Sequence, residues 1–125
     1  MAFLPKEVQE AWDAREKKVV FTTVSPQGIP NSIYVTCINK DDDDTIVIAD
    51  NYFEKTLSNI KAGSRSSVLF ITEEGTSYQL KGTIEYTTEG GYYDFMKEWN
   101  PSKHPGRAAV IISVDEVYSG SNKLI

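Results

Sequence analysis

The chain has 125 residues, of which 40% are hydrophobic and 25% charged, enough for one domain with a single core. Its net charge of −5, without a basic cluster, argues against nucleic acid as a partner. One cysteine excludes an internal disulfide and a cysteine-cluster metal site, and no apolar run approaches the roughly 20 residues that span a bilayer. The first residues lack the pattern of a signal peptide. We therefore predict one domain over residues 1–125 and a cytoplasmic location.

Three stretches have the apolar spacing of amphipathic helices. The first begins at Pro5, which suits the first helical position. The second follows Asn51 and Glu54, which have the spacing of a capping box, and ends at Gly63. The third has an aromatic stripe, for which core packing is the favoured interpretation. This stripe consists of Tyr92, Phe95, Met96 and Trp99.

Six stretches have the composition or the alternation of β-strands. The apolar run 46–49 is typical of a strand buried on both faces, whereas residues 76–87 alternate between two faces. Residues 119–125 are interpreted as a tail. We predict a mainly β fold of six to seven mostly antiparallel strands with about three helices, arranged as a barrel or sandwich. The predicted strands are residues 19–24, 29–39, 46–49, 66–72, 76–87 and 108–114, with 116–118 as a continuation of the last.

The run of four aspartates at residues 41–44 lies between two predicted strands. Four consecutive side chains cannot all face one ion, so we predict a solvated hairpin loop and no metal site.

Residues 45–63 are the most informative stretch, because they predict a strand, a short loop and a helix in succession. Lys55 and Thr56 fall in the first turn of this helix. Free backbone N–H groups, the helix dipole, an ammonium group and a hydroxyl group converge there, which suits a phosphate. The alternative, a solvated lysine and threonine on an ordinary helix, stays open.

Motifs for catalysis by side chains are scarce. His104 is the one histidine, and its position in a proline-flanked loop argues against a Ser-His-Asp or Cys-His arrangement. The chain has too few histidines and cysteines for zinc, and it lacks the GxGxxG and P-loop patterns. The remaining polar candidates suit phosphate binding and hydrogen bonding to a polar ring, which favours a cofactor that brings its own chemistry. These candidates are Tyr34, Thr36, Lys55, Thr56, Gln79 and Lys81.

In the order of its elements the chain resembles the FMN-binding split barrels related to pyridoxamine 5′-phosphate oxidase. The hairpin VFTTVSPQGIPNSIYV is similar to the opening of that family. IADNYFEKTLSNI resembles its strand–loop–helix, where a lysine followed by serine or threonine holds the flavin phosphate. YQLKGTIEY resembles the strand on which a glutamine approaches the flavin ring, and RAAVIISV is similar to the last strand of the short FMN-binding members. The resemblance covers nearly the whole chain and implies a split β-barrel.

The resemblance also implies FMN as cofactor and assigns its contacts by position. Lys55 and Thr56 match the phosphate positions, and Gln79 matches the ring contact. The loop beneath the flavin is matched by Asp50, Asn51 and Phe53. The strand beside the flavin is matched by Ile33, Tyr34, Val35 and Thr36.

A homodimer is expected for two reasons. The chain has more large aromatic residues than a small barrel buries easily, and a split barrel leaves sheet edges to cover. The resemblance implies that FMN lies at the subunit interface. Residues 100–107 and 122–125 are the candidates for reaching into the partner's site.

Three functions are compatible with this reading. The first is a flavin-dependent oxidoreductase with an unidentified substrate, the second an FMN electron-transfer protein without a substrate pocket of its own, and the third a flavin-free split barrel that acts as a binding module. Relatives that bind haem or a deazaflavin are a further variant. The additional basic residues that hold the substrate phosphate in enzymes oxidising pyridoxamine phosphate have no counterpart here, so that activity is not expected. Catalytic residues stay unassigned.

Overall fold

The computed structural model describes residues 4–125, which form three helices and eight strands. The predicted mainly β class is confirmed, whereas the expectation about a signal peptide rests in part on residues 1–3, which lie outside the described residues. The helices are α1 (Lys6–Asp13), α2 (Lys55–Lys61) and α3 (Gly91–Trp99). The strands are β1 (Val19–Val24), β2 (Pro30–Val35), β3 (Ile38–Lys40), β4 (Ile46–Asp50), β5 (Ser66–Ile71), β6 (Ser77–Thr87), β7 (Ala108–Ser119) and β8 (Asn122–Lys123).

All strands belong to one antiparallel sheet with the order β2-β1-β5-β6-β7-β4-β3, and β8 pairs with β7. The edge strands β2 and β3 are separated by only Thr36 and Cys37. Three residue steps reach about 11 Å, whereas seven flat strands are about 29 Å wide. The sheet must therefore curl until its two edges meet at Thr36 and Cys37, which we call the seam. This closure confirms the split barrel.

Two strand predictions need correction. The single strand predicted over residues 29–39 is wrong, because the chain leaves β1 at the seam and pairs with β4 instead. No glycine or proline marks this break, which is set by the closure of the barrel. The prediction of a C-terminal tail over residues 119–125 is also wrong. Asn122 and Lys123 form β8, and Leu124 packs against the core.

The core has two layers that share β4. Ile46 and Ile48 point into the barrel, where α1 contributes Trp12. Val47 and Ala49 point outward and pack beneath α3. The burial of β4 on both faces is thus confirmed, and its cause is the helix that covers the outside of the barrel. The predicted packing of the aromatic stripe is confirmed too, since Met96 is fully buried and its neighbours are partly buried over the same layer.

The alternation predicted for β6 is confirmed. Tyr78, Leu80 and Gly82 are buried, whereas Gln79 and Lys81 lie on the outer face. A Cβ atom at Gly82 would lie 2.1 Å from the carbonyl oxygen of Ser113 on β7, so only glycine fits at this position. The pairing of β6 with β7 also shifts register there, which indicates a bulge between Lys81 and Gly82.

The aspartate run is only partly a solvated loop. Asp42 and Asp43 are exposed, but Asp44 is buried and has a left-handed backbone with φ of 62°. Its carboxylate accepts hydrogen bonds from the Leu4 N–H at 2.7 Å and from Lys40 Nζ at 2.7 Å, as well as from Gln9. The prediction of a fully solvated loop is wrong at this residue, because two of the donors, Leu4 and Gln9, lie 40 and 35 residues away along the chain.

Burial alone would disfavour ionisation of Asp44, but the hydrogen bonds from Lys40, Leu4 and Gln9 outweigh it and lower the pKa of the carboxyl group. Asp44→Asn keeps the shape and the tolerance for a left-handed backbone, but it removes the charge. We expect the variant to lose on the order of 2 kcal/mol of unfolding free energy at pH 7, measured by urea denaturation.

Because the folded pKa lies below the unfolded value of about 4, the contribution of Asp44 is complete above that pH and is lost as the pH falls through the folded pKa. The stability difference between the wild type and Asp44→Asn should therefore shrink on acidification. Asp42→Asn, at an exposed site, is the matched control. Equal effects of the two substitutions would contradict the assignment.

Candidate functional site

Two adjoining cavities lie beside the seam and share Ile33, Tyr52 and Phe53. The first, of about 280 Å³, extends to the seam and to His104. The second, of about 430 Å³, extends to Lys55 and Thr56. We call the two together the seam groove. It runs from the edge strand β2 to the start of α2.

The structure brings together eight of the ten site residues predicted from the sequence. The other two, Asp50 and Gln79, do not line the seam groove. The eight residues that line it are Ile33, Tyr34, Val35, Thr36, Asn51, Phe53, Lys55 and Thr56.

Lys55 and Thr56 form one end of the groove. Lys55 is exposed, whereas Thr56 is 3% exposed and its Oγ1 accepts a hydrogen bond from Asn31 Nδ2 at 3.0 Å. This bond leaves the hydroxyl hydrogen of Thr56 available to a ligand. The sequence prediction missed Asn31. Strand alternation offered a signal, because residues 31, 33 and 35 share one face of β2.

Asp50 lies beneath the groove and is fully buried. Its Oδ1 accepts from the Phe53 N–H at 2.9 Å and from Arg107 Nη2 at 2.8 Å, and its Oδ2 accepts from the Tyr86 hydroxyl at 2.5 Å. Burial and this last hydrogen bond raise the pKa of Tyr86 to about 12, and the hydrogen bond to Asp50 raises the pKa of Arg107. Both carboxylate oxygens are thus engaged by groups of the protein.

The side chain of Asn51 joins the loop of residues 51–54 to the loop of residues 100–107. Its amide exchanges two hydrogen bonds with Asn100, at 3.1 and 3.0 Å, and its Oδ1 also accepts from the Gly106 N–H at 2.9 Å. The predicted capping box is therefore wrong: Asn51 does not cap α2, and Glu54 precedes the helix without a side-chain cap. Asn51 contributes to the groove from a largely buried position.

His104 lies at the other end of the groove, where it contacts Tyr52, a residue that lines both cavities. Their hydroxyl oxygen and Nδ1 lie 3.1 Å apart, and the two rings meet edge to face. Tyr52 is 66% exposed. From the sequence, His104 was predicted only as a loop residue, because its approach to Tyr52 depends on how the 100–107 loop folds back. Cys37 and Ala49 also line the groove and were not predicted.

Gln79 lies on the outer face of the barrel, where its Nε2 donates to Ser67 Oγ at 2.8 Å. The strand registers place it in a row that crosses the sheet. Tyr34 and Leu69 in this row are 73% and 42% exposed. Tyr34 also lines the seam groove, so the row and the groove adjoin. The row, which we call the outer row, consists of Tyr34, Val20, Leu69, Gln79 and Tyr118.

Fold and groove define a class of split-barrel proteins with a groove at the seam. The chain matches the family model described as pyridoxamine 5′-phosphate oxidase over residues 4–120. It therefore belongs to the pyridoxamine 5′-phosphate oxidase family, as the sequence predicted. Among residues 4–125, no helix has the length and apolar character needed to cross a membrane.

The chain is also similar to individual proteins. The chain is 32% identical over 120 residues to an uncharacterized protein of Methanocaldococcus jannaschii, which covers 91% of this chain and 80% of the relative. The crystal structure of HupZ from Group A Streptococcus is 25% identical, with a TM-score of 0.81 and coverage of 97% of both chains. An FMN-binding protein from Syntrophomonas wolfei has a TM-score of 0.73 at 20% identity, and the match covers 90% of this chain and 83% of that one. This last likeness shows the fold.

Proposed function

We propose that residues 1–125 act as one FMN-binding domain, that FMN lies in the seam groove, and that the protein works in redox chemistry as a flavin-dependent oxidoreductase. The observation that carries the proposal is the meeting of Lys55 and Thr56 with the apolar residues Ile33 and Phe53 in one groove. An anion-binding end next to an apolar wall matches a molecule with a phosphate at one end and a flat ring at the other. The cytoplasmic location stays a prediction from the sequence.

The walls of the groove suit a flavin ring. Ile33, Tyr52 and Phe53 offer apolar and aromatic surface, and aromatic side chains stack well on flat rings. In the part of the chain that the structure describes, β2 pairs only with β1. The free edge of β2 therefore carries backbone donors and acceptors without ladder partners, which can bind the polar edge of a ring.

The bound FMN would supply the electron-transfer chemistry. The residues of the chain would bind it, orient it and shield it from water. His104 lines only the cavity that does not reach Lys55, and Tyr52 lines both cavities. An electron carrier without a substrate is the second candidate, and bleaching of the flavin by a small-molecule donor would separate an enzyme from a carrier.

We further propose a homodimer in which the outer row meets a second copy. The row exposes Tyr34 and Leu69, and Ile71 nearby on β5 is 41% exposed. Exposed apolar side chains on a sheet face are typical of interfaces. Because Tyr34 belongs to both the row and the groove, a second copy on this face would cover the groove as well. Gln79 of that copy would then have access to the flavin.

Lys55→Ala tests the phosphate site. Removal of the ammonium group should weaken FMN binding by roughly tenfold or more, since charge-assisted hydrogen bonds to phosphate are strong, and should leave riboflavin binding nearly unchanged. Titration of the apoprotein, followed by flavin fluorescence, measures both affinities. A flavin absorption band at about 450 nm in the purified protein is the first check that flavin is bound. Lys61→Ala, at the other end of α2, is the control. Equal losses for FMN and riboflavin would refute the assignment.

Gln79→Leu tests the ring contact. The amide can donate to or accept from the ring as its charge changes on reduction, so its loss should shift the reduction potential of bound flavin. Potentiometric titration measures the shift. Thr83→Val, an exposed site on the same strand and face, should leave the potential unchanged. An unchanged potential in Gln79→Leu would leave Gln79 as a surface residue bonded to Ser67.

Leu69→Lys tests the dimer. A charge in the centre of the outer row should dissociate the dimer, and flavin retention should then fall on dilution because the site opens. Analytical ultracentrifugation with detection of flavin absorbance measures both effects. Thr88→Lys, an exposed site outside the row, is the matched control. A wild-type monomer near 14.0 kDa that keeps FMN on dilution would rule out the interface.

A further inference from the structure

Besides the contact between Tyr52 and His104, two further attachments join the 51–54 loop, which lines the seam groove, to the 100–107 loop. One is the Asn51 side chain with Asn100 and Gly106. The other is Arg107, whose backbone N–H donates to the Asp50 carbonyl at 2.8 Å. The chain separation of about 50 residues makes both attachments tertiary contacts that fix the loop from outside.

The guanidinium of Arg107 joins the two ends of a short segment. Its Nη2 donates to Asp50 Oδ1 at 2.8 Å and to the Phe53 carbonyl at 2.7 Å. The same Asp50 oxygen accepts from the Phe53 N–H. The N–H and the C=O of Phe53 are therefore both fixed by the Asp50–Arg107 pair. Phe53 lines the groove, and Lys55 follows two residues later.

We propose that Arg107 is a positioning residue for the cofactor: by bridging Asp50 and the Phe53 carbonyl, it sets the place of the Phe53 ring and of Lys55 in the seam groove. The inference rests on the proposed FMN function. Arg107 does not line the groove itself. The two acceptors explain why a side chain with several fixed donors occupies this position.

A purely structural role would be the neutralisation of the buried Asp50. A substitution at Tyr86 distinguishes this role from the positioning role. The Tyr86 hydroxyl also donates to Asp50, but its side chain makes no hydrogen bond to the 51–54 loop. Tyr86→Phe removes a donor from the same carboxylate and leaves the bridge to Phe53 in place. It is therefore the matched control for Arg107→Gln.

The experiment compares wild type, Arg107→Gln and Tyr86→Phe at a temperature where all three are folded. Arg107→Gln should lose roughly tenfold to a hundredfold in affinity for FMN and for riboflavin alike, because displaced groups bind poorly even when the displacement is small. The visible circular dichroism of the FMN-saturated variant should change, because the Phe53 ring that packs against the flavin ring has moved. Tyr86→Phe should keep both affinities and the spectrum, even if it unfolds at a lower temperature.

Arg107→Lys serves as the conservative variant, and it takes the place of Arg107→Gln if that chain does not fold. A lysine keeps a cation beside Asp50 without the planar fork, so the loss should have the same pattern and be smaller. If the substitutions at Arg107 change affinity and spectrum no more than Tyr86→Phe does, the proposal is overturned.

Hydrogen exchange keeps this test separate from that of the proposed function. The Phe53 amide should exchange faster in Arg107→Gln than in Tyr86→Phe, with or without flavin. A wild type that binds neither FMN nor riboflavin, combined with this faster exchange, would refute the proposed function and support the role of Arg107 in holding the loop. Equal exchange in the two variants would refute that role.

Discussion

The two-residue link between β2 and β3 is the constraint on which the rest of the structure depends. Since these strands occupy opposite edges of the sheet, Thr36 and Cys37 force the barrel to close. The backbone of Cys37 then accepts from the Ala49 N–H at 3.0 Å, which ties the seam to β4. The 51–54 loop follows β4 directly, so closure of the barrel also brings this loop beside β2. The seam groove is a consequence of the way the barrel closes.

Local patterns were sufficient to predict most of the fold. The apolar run at residues 46–49 predicted a strand buried on both faces, and the alternation from Tyr78 to Tyr86 predicted the inward face of β6. Both succeed because burial of each residue depends on the period of its own strand. The break at Thr36 was not predictable in this way. The apolar and β-branched composition of a strand continues across Thr36 and Cys37, and the change of partner from β1 to β4 is visible only in the pairing of the sheet.

The candidate site also contains residues that local patterns predict and residues whose roles depend on distant parts of the chain. The helix that carries Lys55 and Thr56 was predictable because the apolar residues of α2 recur at helical spacing. The roles of Asp50 and Asn51 were not, since their partners Tyr86, Asn100 and Arg107 lie 36 to 57 residues away. A capping box needs a free Asn51 side chain. Here that side chain makes three hydrogen bonds with the 100–107 loop, one as donor and two as acceptor. The local tendency of Asn51 to cap a helix is therefore overridden by its tertiary hydrogen bonds.

The distribution of charge in the groove bears on the proposed binding of FMN. Among the residues that line it, Lys55 is the one lysine or arginine, and it lies at the α2 end. Arg107 lies close to the groove without lining it, and its guanidinium already donates to Asp50 and to the Phe53 carbonyl. A single cation suits the single phosphate of a cofactor, whereas a substrate with its own phosphate would need a second one. The single cation therefore supports the proposal of a flavin with an unphosphorylated donor, in line with the lack of substrate-phosphate residues in the sequence.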